Sequence, residues 1–251
     1  MLSRRPGGRF NRGRVAAGGP PAFSPLQVTG LVLWLRADLG ITTVSGKVSA
    51  WTDQSGTGDS NKDVTQGTAA NRPTYNATDA GYNNQSTLTF DGTDDWMASG
   101  VWSTVPTTTG TFFIVGEMGL AATQVMSCMH DTGGLGELYG NGGGVDDLQY
   151  YQGATLVAVG ESGINSKSVF AVERNGASTK IYQNAKTAIT TGNAGSGALQ
   201  RLILGSNALA ASLPLNGKIA EVLDYNVILS AGNRGLVMDY LGARYSRAIG
   251  A

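Results

Sequence analysis

Residues 215–230 read LNGKIAEVLDYNVILS, and the reading of this stretch decides the fold. Between Lys218 and Val227, apolar Ile219, Val222 and Tyr225 interleave with Lys218, Glu221 and Asp224, which marks a strand with one face on a core, though the alternation is not strict. Just beyond it Ser230 stands where an N-cap belongs, and Leu236, Val237, Tyr240, Leu241, Arg244 and Tyr245 recur at spacings of three and four. A strand running into one short C-terminal helix is therefore predicted. Gly235 and Gly242 weaken that helix by roughly 1 kcal/mol each, so packing on the strands has to hold it.

Upstream the same texture repeats. Short β-like runs occur at 28–36, 47–53, 87–90, 111–118, 124–130, 148–152, 155–160, 168–174, 179–183 and 201–204, separated by turn residues that include many of the chain's 37 glycines. So many short strands with glycine-rich turns indicate an all-β protein, a two-sheet antiparallel jelly-roll sandwich with an extended N-terminal arm and a short C-terminal helix. A chain of 251 residues that is 41% hydrophobic can bury a large core, and residues 28–251 are expected to form one domain.

Residues 1–27 differ in kind. They are rich in Gly, Pro and Arg and show no usable periodicity, so alone they should be disordered and should order by gripping a partner. Arg4, Arg5, Arg9, Arg12 and Arg14 supply the charge of this arm, and Phe10 and Phe23 are its apolar anchors. Five of the 18 basic residues lie here, against none of the 18 acidic ones, so the body is net acidic. Such a body repels phosphate, which argues against direct nucleic-acid binding by it. Cys128 is the one cysteine, so an intrachain disulfide is excluded and a buried thiol is expected. No apolar run suits a signal peptide or a membrane span.

Taken in order, LVLWLRAD (31–38), WTDQSGTG (51–58), NRPTY (71–75), FDGTDDW (90–96), SVFAVERNG (168–176), TKIYQN (179–184) and the segment 215–230 leading into YLGARY (240–245) resemble the laminin-G-like branch of the concanavalin A-like lectin/glucanase superfamily. The resemblance spans about residues 28–247. It implies a two-sheet jelly roll used for sugar binding, protein adhesion, glucanase chemistry or scaffolding, and the fold alone does not choose among these.

Three kinds of site can be weighed. In TFDGTDDWM (89–97), Asp91, Asp94 and Asp95 either close a turn with their side chains or offer hard oxygen ligands to calcium, the one cofactor the sequence suggests. The glucanases that share the resemblance carry acids in a Glu-x-Asp-x-x-Glu type pattern, which is absent; Glu221 and Asp224 come nearest, but at odd spacing they face opposite ways. His130, the one histidine, is read as structural, because a triad with Ser127 would need both on one face. For sugar stacking the plausible aromatics are Trp102, Tyr139, Tyr150 and Tyr151, with one of the adjacent tyrosines facing out.

The expectation is a non-enzymatic virion component, a capsid decoration or cement protein of a tailed bacteriophage. It would be assembled in the host cytoplasm, bound through its arm to the major capsid protein or other virion subunits, and present as a homo-oligomer such as a trimer. The alternative is a carbohydrate-binding module of a tail fibre or cell-surface protein that recognises host glycans.

Overall fold

The computed structural model describes residues 23–251 apart from 105–106, 120–121, 131–134, 142–146, 154–155 and 161–162. Among the described residues seventeen strands pair antiparallel, and one helix closes the chain. A single bridge from Lys47 to Thr74 makes the ladder continuous, but it folds into two facing layers.

The layer under the helix contains β5 (Thr74–Asp79), β6 (Gln85–Asp91), β1 (Leu31–Arg36), β17 (Asn216–Tyr225), β8 (Gly110–Met118), β13 (Ser168–Arg174), β14 (Thr179–Gln183) and β15 (Thr190–Gly192). The facing layer contains β2 (Ile41–Val44), β3 (Lys47–Trp51), β4 (Val64–Thr65), β7 (Met97–Ala98), β16 (Ile203–Leu204), β9 (Gln124–Cys128), β10 (Leu135–Asn141), β11 (Asp147–Gln152) and β12 (Leu156–Gly160). Strand β17 organises the first layer: β8 runs along one edge, while β6 and β1 share the other.

Between the layers lies the main core, where Leu33, Leu35, Trp51, Phe90, Phe112, Ile114, Met126, Leu138, Phe170 and Val222 are buried together. The reverse face of the β17 layer carries a second core of Trp34, Phe113, Val115, Ala171, Leu223 and Tyr225, covered by Val237, Met238, Leu241 and Tyr245 of α1 (Ala231–Tyr245). Ser230 caps that helix by accepting from the Asn233 amide at 3.2 Å, as its place in the sequence predicted. A register shift between Ile219 and Glu221 inserts Ala220 as a bulge, so Ala220 and Glu221 both face the helix before strict alternation resumes.

Residues 1–22, with Arg4, Arg5, Arg9, Phe10, Arg12 and Arg14, lie outside the described residues. The last residues assigned to the arm behave as body. Ser24 and Gln27 form a capping box on a short turn, Pro25 is buried, and its carbonyl accepts from the Tyr225 hydroxyl at 3.2 Å. Phe23 is corrected likewise: its ring sits 6.1 Å from that of Tyr240 and packs on the second core, so it anchors the chain to itself.

Candidate functional site

The sequence-derived candidates do not converge on one place. Trp102 is only 2% exposed, with its indole N–H donated to the Ser99 hydroxyl at 2.9 Å. Tyr150 is 1% exposed, pointing into the main core beside Leu138, its partner across β10 and β11. Neither can stack on a sugar, because both are buried in the core between the two layers. Tyr151 and Tyr139 lie half-buried on the reverse face of that sheet with Glu137 and Gln149. Tyr139 packs there on Val125, Cys128 and Ile203, and burial pushes its hydroxyl up to about 12.

The aspartate loop is compact. Carboxylate oxygens of Asp91, Asp94 and Asp95 lie within 4.8 Å of one another. Asp91 Oδ1 accepts from the amides of Thr93 (2.8 Å) and Asp94 (3.3 Å), and Asp95 Oδ2 accepts from the Asp91 amide (3.2 Å). Asp95 Oδ1 is buried without a hydrogen bond and faces Lys47 Nζ at 3.7 Å. Burial, with Asp91 beside it, pushes the Asp95 carboxyl up to about 6. Three carboxylates could share a cation, yet calcium takes six to eight oxygens, and here amides and one ammonium already meet several of those present.

Glu221 and Asp224 cannot act on one substrate. Glu221 faces the helix and accepts from Trp34 Nε1 (2.6 Å), the Tyr245 hydroxyl (2.9 Å) and the Tyr240 hydroxyl (3.0 Å). Asp224 faces the sandwich interior and pairs with the buried Arg174 at 2.7 Å. Cys128 is buried with its Sγ on the His130 carbonyl (3.2 Å), and burial pushes its thiol up to about 12, which leaves little thiolate for nucleophilic chemistry at neutral pH.

What the structure does assemble is a polar cleft at the loop 52–63. Its ends are pinned by Trp51 and Val64 in the main core. Asp53 Oδ1 accepts from the backbone amides of Trp34 (2.8 Å) and Ser55 (2.9 Å), and Asp63 Oδ1 accepts from the Asp53 amide (2.8 Å). Gly56 and Gly58 adopt φ of +77° and +75°, which side-chain-bearing residues rarely hold. Asp59 then caps a one-turn 3-10 helix over Ser60–Lys62 and ties it across the surface, its two oxygens accepting from the amide (2.9 Å) and hydroxyl (3.0 Å) of Ser103. Burial raises the Asp59 carboxyl, but these bonds hold it below its usual value.

That tie turns Lys62 inward. Lys62 is 4% exposed, donates to Thr57 Oγ1 at 3.0 Å and lies 5.4 Å above the Trp102 ring. Two adjoining hollows of about 340 and 570 Å³ share Gly58, Asp59 and Ser60, and Lys62 lines the larger. Both fall within the roughly 300–1,000 Å³ range of small-molecule sites. WTDQSGTG drew attention only as a fold motif; the missed signal was one lysine in a run of Asp, Ser, Thr, Asn and Gly.

The described fold is an all-β antiparallel sandwich with one C-terminal helix. No protein-family model and no curated protein sequence matches the chain. Among solved structures it is similar to the botulinum neurotoxin serotype D ligand binding domain in complex with N-acetylneuraminic acid, with a TM-score of 0.60, 10% identity, and coverage of 84% of this chain and 51% of that one. It is similar too to an arabinofuranosidase complexed with arabinofuranosyl-alpha-1,2-xylobiose (0.59, 14% identity, 82% and 52%). A Trypanosoma rangeli sialidase in complex with sialic acid gives 0.56, 12% identity, 89% and 34%. At such identities the likeness is one of fold, and the chain spans about half the length of the neurotoxin domain.

Proposed function

We propose that this sandwich is a carbohydrate-recognition domain without a catalytic role. The observation that carries the reading is the cleft at 52–63, where rigidly tied polar groups surround an ammonium with hydrogen-bonding capacity to spare. Structures of similar fold described as sugar complexes support it by analogy. Aspartates already engaged with main-chain amides orient the cleft rather than transfer protons. A glycan array probed with the full chain, with and without chelator, tests the proposal; silence across the array would overturn it. Chelator-insensitive binding is expected, because Lys47 supplies the charge opposite Asp95 and the Asp91, Asp94 and Asp95 loop then needs no calcium.

A second reading, compatible with the first, is display on a virion. The sequence of the arm favours it, since residues 1–22 hold five arginines and no acid, and Phe23, which follows them, is docked on Tyr240. In that reading the arm grips the major capsid protein or another virion subunit, with a homo-oligomer such as a trimer on the capsid surface. Removing residues 1–22 should abolish capsid occupancy; full occupancy by the truncated chain would refute it.

A further inference from the structure

Resting on the carbohydrate-recognition reading, we infer that Lys62 is the residue that reads the ligand and that the ligand is an uncharged sugar held through neighbouring ring hydroxyls. A lysine ammonium carries three donors. Thr57 takes one, the Trp102 ring meets the charge from one side, and Asp59 and Asp224 act on it through longer-range charge, with no carboxylate among the described residues in ion-pair contact with Nζ. Burial of a charge with so few partners is costly unless something else completes its shell. Lys62 lines the larger hollow, so ligand oxygens can complete it.

The charge of the surroundings chooses among oxygen-rich ligands. Asp53, Asp59 and Asp63 line the same two hollows against the single Lys62, so a carboxylated, sulfated or phosphorylated group meets net repulsion. A divalent cation is disfavoured as well: Asp53 and Asp59 are committed to Trp34, Ser55, Asn61 and Ser103, and Lys62 adds a positive charge beside them. Vicinal hydroxyls suit both signs at once, accepting from Lys62 and donating to Asp59, which lines both hollows and whose Oδ2 accepts from the Ser103 amide with a lone pair left over. Asn226, exposed on the rim, offers a further amide.

The test uses the full chain on an array of neutral and acidic glycans, followed by calorimetry with the best-bound glycan. Wild type should prefer neutral glycans. Lys62→Met, which keeps the volume and removes the ammonium, should weaken binding about tenfold or more, as loss of hydrogen bonds to a charged group implies, while melting no lower than wild type. Asn226→Ala should weaken it by about threefold, a loss of under 1 kcal/mol, and decides the matter if Lys62→Met does not fold. Preference for acidic glycans, unchanged binding by folded Lys62→Met, or, where that variant does not fold, unchanged binding by Asn226→Ala would overturn the inference while leaving glycan recognition standing. Absence of any binding by wild type would overturn both.

Discussion

Glu221 and Lys62 are both buried charged residues, and the difference between their surroundings separates structure from function. Glu221, under the helix, has three donors within 3.0 Å and Arg244 Nε at 3.5 Å. Its hydrogen-bonding capacity is filled by the protein, so it acts as a lock between β17 and α1. Lys62, under the 52–63 loop, is also buried but has one hydrogen bond and one ring face, with Asp59 and Asp224 acting on it only through longer-range charge. Saturation marks a group that the fold needs, and deficit marks one that the fold keeps for something outside it.

The largest effect that should sharpen this contrast is at Glu221. Glu221→Ala removes the acceptor of the buried Trp34 indole and of the Tyr240 and Tyr245 hydroxyls, and leaves Arg244 with Asp38 alone; it should cost about 3–5 kcal/mol in urea unfolding, whereas Lys62→Met should cost nothing. Comparable losses at both positions would break the distinction.

Asp95 lies between the two extremes, since one oxygen is bonded and the other faces only Lys47. Its folded value of about 6 exceeds the ordinary 3.8. A raised carboxyl favours the folded state in its protonated form, so this contribution is fully present below about pH 3.8 and is lost as pH rises through about 6. Asp95→Asn should therefore stabilise the protein at pH 8 and change little at pH 3 in thermal melts. A reversed pH dependence, or an excess of calcium raising the wild-type melt at pH 8 but not that of the variant, would identify the loop as a cation site instead.

Two helix glycines give the smallest test. A Cβ on Gly242 would fall 2.5 Å from Ile249 Cγ1 and 2.7 Å from the Arg247 carbonyl, whereas one on Gly235 would meet Lys186 Cδ at an ordinary 3.6 Å. Gly242→Ala should lose about 1–3 kcal/mol through overpacking, and Gly235→Ala should gain about 0.5–1 kcal/mol from helix propensity.

These same glycines show where sequence reasoning reaches. Strands β8, β13 and β14 and the helix were legible because apolar residues recur at the right period and the cap is local. Strand β10 was not, since Gly136 and Gly140 interrupt its pattern, nor was β5, whose TYNATD is polar along an exposed edge. Trp102 was offered as a stacking residue, and the choice between Tyr150 and Tyr151 stayed open, because the layer that covers Trp102 and Tyr150 comes from strands distant in sequence. Lys62 escaped for a related reason: its burial depends on Asp59 reaching Ser103, 44 residues away. Chemistry set by local periodicity can be read from one chain segment, and chemistry set by a tie across the surface cannot.

The most direct test of the cleft is an amide chemical-shift titration of the full chain with the glycan it binds best. Shifts should concentrate at residues 52–63, with Ser103 and Thr104. Shifts confined to the sheet face of Tyr139 and Tyr151, or to the groove of about 510 Å³ between Phe23 and Tyr240, would contradict the account.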